Sequence, residues 1–63
     1  MTYALWNDTT KQWCKDGETD KVWTTTDAYT GARELNKMNE IRLIDSKYKD
    51  NVFQLKRYET NQN

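Results

Sequence analysis

VWTTTDAYTGARELNKM, residues 22–38, is the stretch that decides the fold. Val22, Trp23, Thr24 and Thr25 are β-branched or aromatic, types that suit a pleated, half-buried surface. The period then changes. Ala28, Gly31, Ala32, Leu35 and Met38 recur along one face of a helix. A strand that runs straight into a helix in so short a chain implies a helix packed on a sheet. Thr24 and Asp27 stand in capping-box spacing, with Asp in place of the usual Glu, and Asp27 also suits the positive end of the helix dipole. The spacing predicts a helix over 25–38, ended by Asn36 or Asn39 in a left-handed cap. Three residues of its apolar face are very small, so that face is expected to lie close against a flat partner. Gly31 costs up to about 1 kcal/mol relative to Ala inside a helix, a loss that close packing has to offset.

On either side of this junction lie further strands. Residues 2–6 (TYALW) alternate, with Tyr3 and Leu5 on one face and Ala4 and Trp6 on the other. Asn7, Asp8, Thr9 and Thr10 are turn formers, and residues 11–15 (KQWCK) complete a hairpin. Residues 16–20 (DGETD) form a polar loop before a short third strand over 21–25. Ile41, Leu43 and Ile44 fit either a brief strand or an extension of the helix. Residues 45–51 (DSKYKDN) read as a charged turn, and residues 52–58 (VFQLKRY) as the closing strand with Phe53 and Leu55 on one face. The expected architecture is α+β, ββ(β)αβ: a small antiparallel sheet of three to four strands with one helix on one face. It forms a single domain over 1–58, followed by a disordered tail over 59–63. Leu5, Ala28, Ala32, Leu35, Phe53 and Leu55 form the expected core.

Sixty-three residues bury only about 60% of the surface their unfolded chain exposes. Hydrophobic residues make up 35% of the chain, below the usual 45–50% or so, and three Trp, four Tyr and one Phe offset this through the large area each ring buries. Ordering the chain costs nearly what a small apolar core returns, so self-association is one expected source of stability. Ten basic and ten acidic residues balance, which gives no global field favouring nucleic acid or an anionic membrane. No apolar run approaches the length of a membrane span. The lone Cys14 has no internal disulfide partner, as expected in a reducing cytoplasm.

The chemistry-bearing residues argue against an enzyme. Histidine, the commonest general base and metal ligand, is absent. Cys14 needs an activating base to act as a nucleophile, and its place between Trp13 and Lys15 reads as a structural thiol. Asp16, Glu18 and Asp20 alternate like the first ligands of a calcium loop, with Asp27 at the twelfth place. Gly17 falls at position two rather than six, and no helix precedes the loop, so a solvated acidic turn is the reading. Asn7-Asp8-Thr9 matches the glycosylation triplet, read as a chance match because no signal peptide precedes it. With Gly17 and Gly31 as the two glycines, there is no phosphate-binding glycine loop. No cofactor and no metal site is expected.

Two surfaces remain. Trp6, Trp13 and Trp23 are many for a one-helix domain to hide: either all three pack under or around the helix, or a Trp reaches the open sheet face and there marks a protein interface. Trp13, flanked by Lys11 and Lys15 on its face, is the first choice for contact with a partner protein or with a second copy in a symmetric homodimer. Tyr48, Lys49, Phe53, Lys56, Arg57 and Tyr58 interleave stacking surfaces with cations, as single-strand nucleic-acid binders do. Asp45, Asp50 and Glu59 dilute that positive field, so the favoured reading of the run is an edge strand kept soluble by its charges with aromatics serving the core, and nucleic acid is the less favoured partner.

The layout resembles a group of short proteins encoded by phages and prophages of Gram-positive bacteria. An aromatic-rich hairpin like Tyr3-Ala4-Leu5-Trp6-Asn7 carries the resemblance, with the helix entry Thr25-Thr26-Asp27-Ala28, the run Ala32-Arg33-Glu34-Leu35-Asn36 and a closing strand such as residues 52–58. The charged stretch from Ile41 to Asn51 departs from that pattern. Most members of the group have no assigned activity, so the resemblance implies a small cytoplasmic accessory factor of the bacterial host cell but no functional residues. A non-enzymatic protein-interaction module is the expected function; the alternative is a weak single-strand nucleic-acid binder using the C-terminal strand.

Overall fold

A computed structural model describes residues 1–58. The tail expected over 59–63 lies outside the described residues. In chain order the elements are β1 (Tyr3–Asn7), β2 (Gln12–Trp13), β3 (Thr24–Thr25), α1 (Ala28–Ile44), a 3-10 turn (Ser46–Tyr48) and β4 (Phe53–Arg57). The fold is α+β, a four-stranded antiparallel sheet with one helix, in the expected ββ(β)αβ order.

β1 pairs with all three other strands. β4 runs along one edge over five residue pairs, from Tyr3↔Arg57 to Asn7↔Phe53. β2 and β3 share the other edge end to end, through Trp6↔Trp13 and Ala4↔Thr24. They are shorter than the runs expected over 11–15 and 21–25 because the chain leaves the sheet between them. Residues 15–22 form a small hairpin closed by the Lys15↔Val22 bridge, with the Trp23 amide donating to the Cys14 carbonyl (3.1 Å) at its base. Asp16 Oδ1 accepts the Glu18 amide (2.8 Å) inside this hairpin, and Lys15 reaches Asp20 (3.8 Å). The acidic loop thus uses its side chains to shape a turn.

The helix differs from the expected one at both ends. Asp27, not Thr24, is the N-cap, and its carboxylate accepts the amides of Tyr29 and Thr30. Thr25 acts one step earlier, with its hydroxyl accepting the Asp27 amide (3.2 Å). At the other end the helix passes Asn36 and Asn39 and continues to Ile44, where Asp45 caps it in an extended conformation. A hydrophobic period that does not stop at Met38 explains the extension. Gly31, Glu34, Leu35, Met38, Ile41 and Arg42 are buried or half-buried and lie along one helix face. This face is rotated from the expected one, and Ala28 and Ala32 are exposed. The core therefore holds Ala4, Leu5 and Phe53, all nearly inaccessible, with Leu35 and Leu55 half-buried around them.

Gly31 is the point of closest approach. A Cβ there would stand 2.9 Å from Leu55 Cδ1 and 3.6 Å from Thr25 Cγ2. Leu5 and Leu55 are directly opposed, and the flanking bonds Tyr58 N–H to Thr2 O and Asp8 N–H to Val52 O make theirs a non-hydrogen-bonded pair, the type with closer side chains. The bare glycine lets the helix backbone settle onto that pair.

Asn7 ties the loops to the sheet. It is 8% exposed. Its Oδ1 accepts the Thr9 and Thr10 amides (3.0 and 3.1 Å), and its Nδ2 donates to Asn51 Oδ1 (2.8 Å). The turn after β1 and the loop before β4 are thereby joined, reinforced by Val52 N–H to Thr9 Oγ1 (2.9 Å) and Arg42 Nη1 to Asn51 O (2.8 Å).

Two outcomes follow. Asn7→Leu leaves three polar groups without partners at similar volume, so denaturant unfolding is expected to show a loss of about 1–3 kcal/mol; an unchanged midpoint would remove Asn7 from this role. The Thr30 hydroxyl and the Tyr29 and Thr30 amides lower the Asp27 pKa below the usual carboxylate value. A folded-state pKa below the unfolded one contributes stability that is present above the unfolded value and lost as pH falls through the folded one. Thermal melts across the acidic range are expected to show this loss in the wild type and a shallower pH dependence in Asp27→Asn.

Candidate functional site

The sheet has one face under α1 and one face without a helix. Register assigns the residues. Leu5, Asn7, Phe53, Leu55 and Arg57 share the helix side, whereas Ala4, Trp6, Trp13, Thr24, Gln54 and Lys56 share the open side. Tyr58, whose amide donates to the Thr2 carbonyl (2.8 Å), continues the open-side alternation.

Three rings on the open side form a continuous aromatic layer. Trp6 and Trp13 meet edge to face at a centroid distance of 5.0 Å, and Trp13 meets Tyr58 at 4.9 Å. Both distances lie in the favoured range for such pairs. The Cys14 amide donates to the Leu5 carbonyl (2.9 Å), which makes the neighbouring Trp6–Trp13 pair a non-hydrogen-bonded one and brings the indoles together. Trp13 and Tyr58 stand on opposite sides of β1, one level with Trp6 and the other with Thr2. Their contact therefore passes over Ala4, which is 0% exposed although no helix covers its face. A side chain no larger than a methyl group is what this bridge admits.

Polar groups border the layer. Trp6 Nε1 donates to Asp8 Oδ1 (3.2 Å), and Lys56 Nζ lies 5.3 Å from the Trp6 ring centroid, within cation–π range. Lys11 binds Asp8 Oδ1 at 3.0 Å; these contacts lower the Asp8 pKa, the Lys11 hydrogen bond most and the Trp6 one next. The two lysines expected to flank Trp13 are otherwise engaged, Lys11 in the turn at φ 58° and Lys15 with Asp20.

The structure divides the other residues singled out in the sequence. Trp23 is half-buried at the base of the 15–22 hairpin, apart from the Trp6–Trp13–Tyr58 layer. Lys56 and Tyr58 share the open face, whereas register puts Arg57 on the helix side. Tyr48 and Lys49 stand at the far end of β4, where Tyr48 packs against Phe53 (6.2 Å) and carries Lys47 over its own ring (5.4 Å). Burial, and secondarily Glu34, raises the Cys14 pKa, which keeps the thiol protonated at neutral pH and poorly nucleophilic. Among the described residues no group of three or more His, Cys, Asp or Glu side chains converges to hold a metal, and no helix is long and apolar enough to cross a membrane. Sequence reasoning underrated Tyr58 as a partner of the tryptophans. The signal was the even spacing of Gln54, Lys56 and Tyr58, which puts all three on one face of a strand. Comparison with known protein families, curated proteins and solved structures yields no match to this chain.

Ala4→Leu is expected to part the Trp13–Tyr58 contact and lower stability by about 1–3 kcal/mol through overpacking, with a loss of near-ultraviolet aromatic circular dichroism. Retention of both signals would show that the rings do not bridge β1.

Proposed function

We propose that this chain is a small non-enzymatic protein-interaction module of the bacterial cytoplasm, an accessory factor of phage origin, whose contact surface is the open sheet face. The Trp6–Trp13–Tyr58 layer is the observation that carries this reading. Interface cores are enriched in tryptophan, tyrosine and arginine anchors set in polar rims. Here two indoles and a phenol lock each other in place before any partner arrives, so little side-chain entropy remains to be lost on binding. Lys56, Gln54 and Asp8 supply the rim. Rings that meet edge to face offer a partner their edges and a ridged surface, which suits protein side chains better than the parallel stacking of bases.

The nucleic-acid alternative draws its support from Lys56 beside Trp6. Its basic-aromatic cluster is spread over both faces and both ends of β4, so fewer phosphate and base contacts fall within one groove.

Affinity capture from nuclease-treated lysate of a Gram-positive host, with wild type and Lys56→Glu as paired baits, tests the proposal. Lys56 is exposed, so the variant keeps the core. A protein retained by the wild type and depleted at least severalfold on the variant is the expected result. Equal retention on both baits, or none on either, would overturn the open-face assignment. Low-salt fluorescence anisotropy with single-stranded oligonucleotides, weakened in Lys56→Ala and Arg57→Ala with a shallower salt slope, would favour the alternative.

A further inference from the structure

Apart from Met1 at the chain start, the most exposed large apolar side chains lie on the outer face of α1 rather than among the tryptophans. Tyr29 is 70%, Leu43 78% and Ile44 87% exposed. Tyr29, Arg33, Asn36, Glu40 and Leu43 follow one another at spacings of four, three, four and three, and all five are exposed. That is the seam along which a second helix packs, and at 100° per residue it lies opposite the face that Gly31, Leu35 and Met38 turn toward the sheet. The seam is charged in the middle and apolar at its ends. Arg33 rests over the Tyr29 ring (5.9 Å), and among the described residues it has no acidic partner. Among the same residues Glu40 has no basic partner.

We propose that this seam docks a second copy of the same chain, helix against antiparallel helix, about a two-fold axis through Asn36. Self-complementarity selects the occupant. With the helices antiparallel, Tyr29 of one copy faces Leu43 and Ile44 of the other, Arg33 faces the partner's Glu40 at two symmetric places, and Asn36 meets its own equivalent at the axis. A polar residue at such a central position sets register in paired helices. A parallel arrangement would oppose Arg33 to Arg33 and Glu40 to Glu40 and is disfavoured. The helix is about 25 Å long and about 10 Å wide, less than the roughly 800 Å² per partner of a standard interface. The dimer is therefore weak and concentration-dependent, and it leaves the aromatic face of each copy outward.

Sedimentation equilibrium over about a hundredfold range of concentration tests the proposal. The mass is expected to rise from 7.6 kDa toward twice that value. Leu43→Glu, at a position that contributes nothing to the core, is expected to abolish the rise while circular dichroism and melting stay unchanged. Arg33→Glu and Glu40→Arg alone each turn two attractions into repulsions and are expected to weaken association about tenfold. An equimolar mixture of these two variants restores both attractions and is expected to dimerise at least as well as the wild type. A constant single-chain mass would overturn the proposal. So would a dimer indifferent to Leu43→Glu, which would put association on another face, or a mixture no better than its components, which would refute the antiparallel pairing.

Discussion

β1 carries the molecule because both its edges and both its faces are occupied. It pairs with β4 along one edge over all five residues and with β2 and β3 along the other. Leu5 is pressed under the helix and Ala4 under the aromatic bridge, at 1% and 0% exposure. These are adjacent residues on opposite faces of one strand. A chain this short cannot enclose a thick core, and it compensates by placing two thin apolar layers on the two sides of a single strand. Asn7, at the end of β1, then binds the loops at that end of the sheet, so hydrogen bonding and burial converge on the same segment.

The helix answers a different constraint. At Gly31 it comes down on Leu55 and Thr25, and the contact face set there continues to Ile41 and Arg42. A strand of five residues spans about 17 Å and a helix of 17 residues about 25 Å. The helix is longer than the sheet, and at its C-terminal end Leu43 and Ile44 reach solvent because they turn away from the packed face on which Met38 and Ile41 are half-buried. The long axis of the molecule, 38 Å against 22 Å in the other two directions, fits the same geometry.

Two proposed contact surfaces result, one on each side of the fold. The open sheet face holds aromatic rings that are fixed by one another and by register. The outer helix face holds apolar ends around Arg33 and Glu40, the arrangement on which the proposed pairing of two copies rests. Burial and Glu34 keep Cys14 as a protonated thiol, and Asp16 and Asp20 serve the 15–22 hairpin itself.

Period and turn chemistry are local, and the sequence alone conveyed what depends on them. The alternation of Tyr3 and Leu5 against Ala4 and Trp6, the switch to a helical period after Thr25, and the return to alternation at Phe53 determine the ββ(β)αβ order. Quantities set by contacts distant in sequence were decided only by the tertiary structure. Ala28 and Ala32 repeat as well as Leu35 does, but the choice between helix faces was made by Gly31 against Leu55. Thr24 and Asp27 both suit an N-cap, and pairing of Thr24 with Ala4 in the sheet left the cap to Asp27. The basic-aromatic run from Tyr48 to Tyr58 is contiguous in sequence, but a strand sends alternate residues to opposite faces, which separates Lys56 from Arg57. The contact of Trp13 with Tyr58 joins residues 45 positions apart. It exists because β1 lies between them and carries, at position 4, a side chain small enough to let the two rings meet.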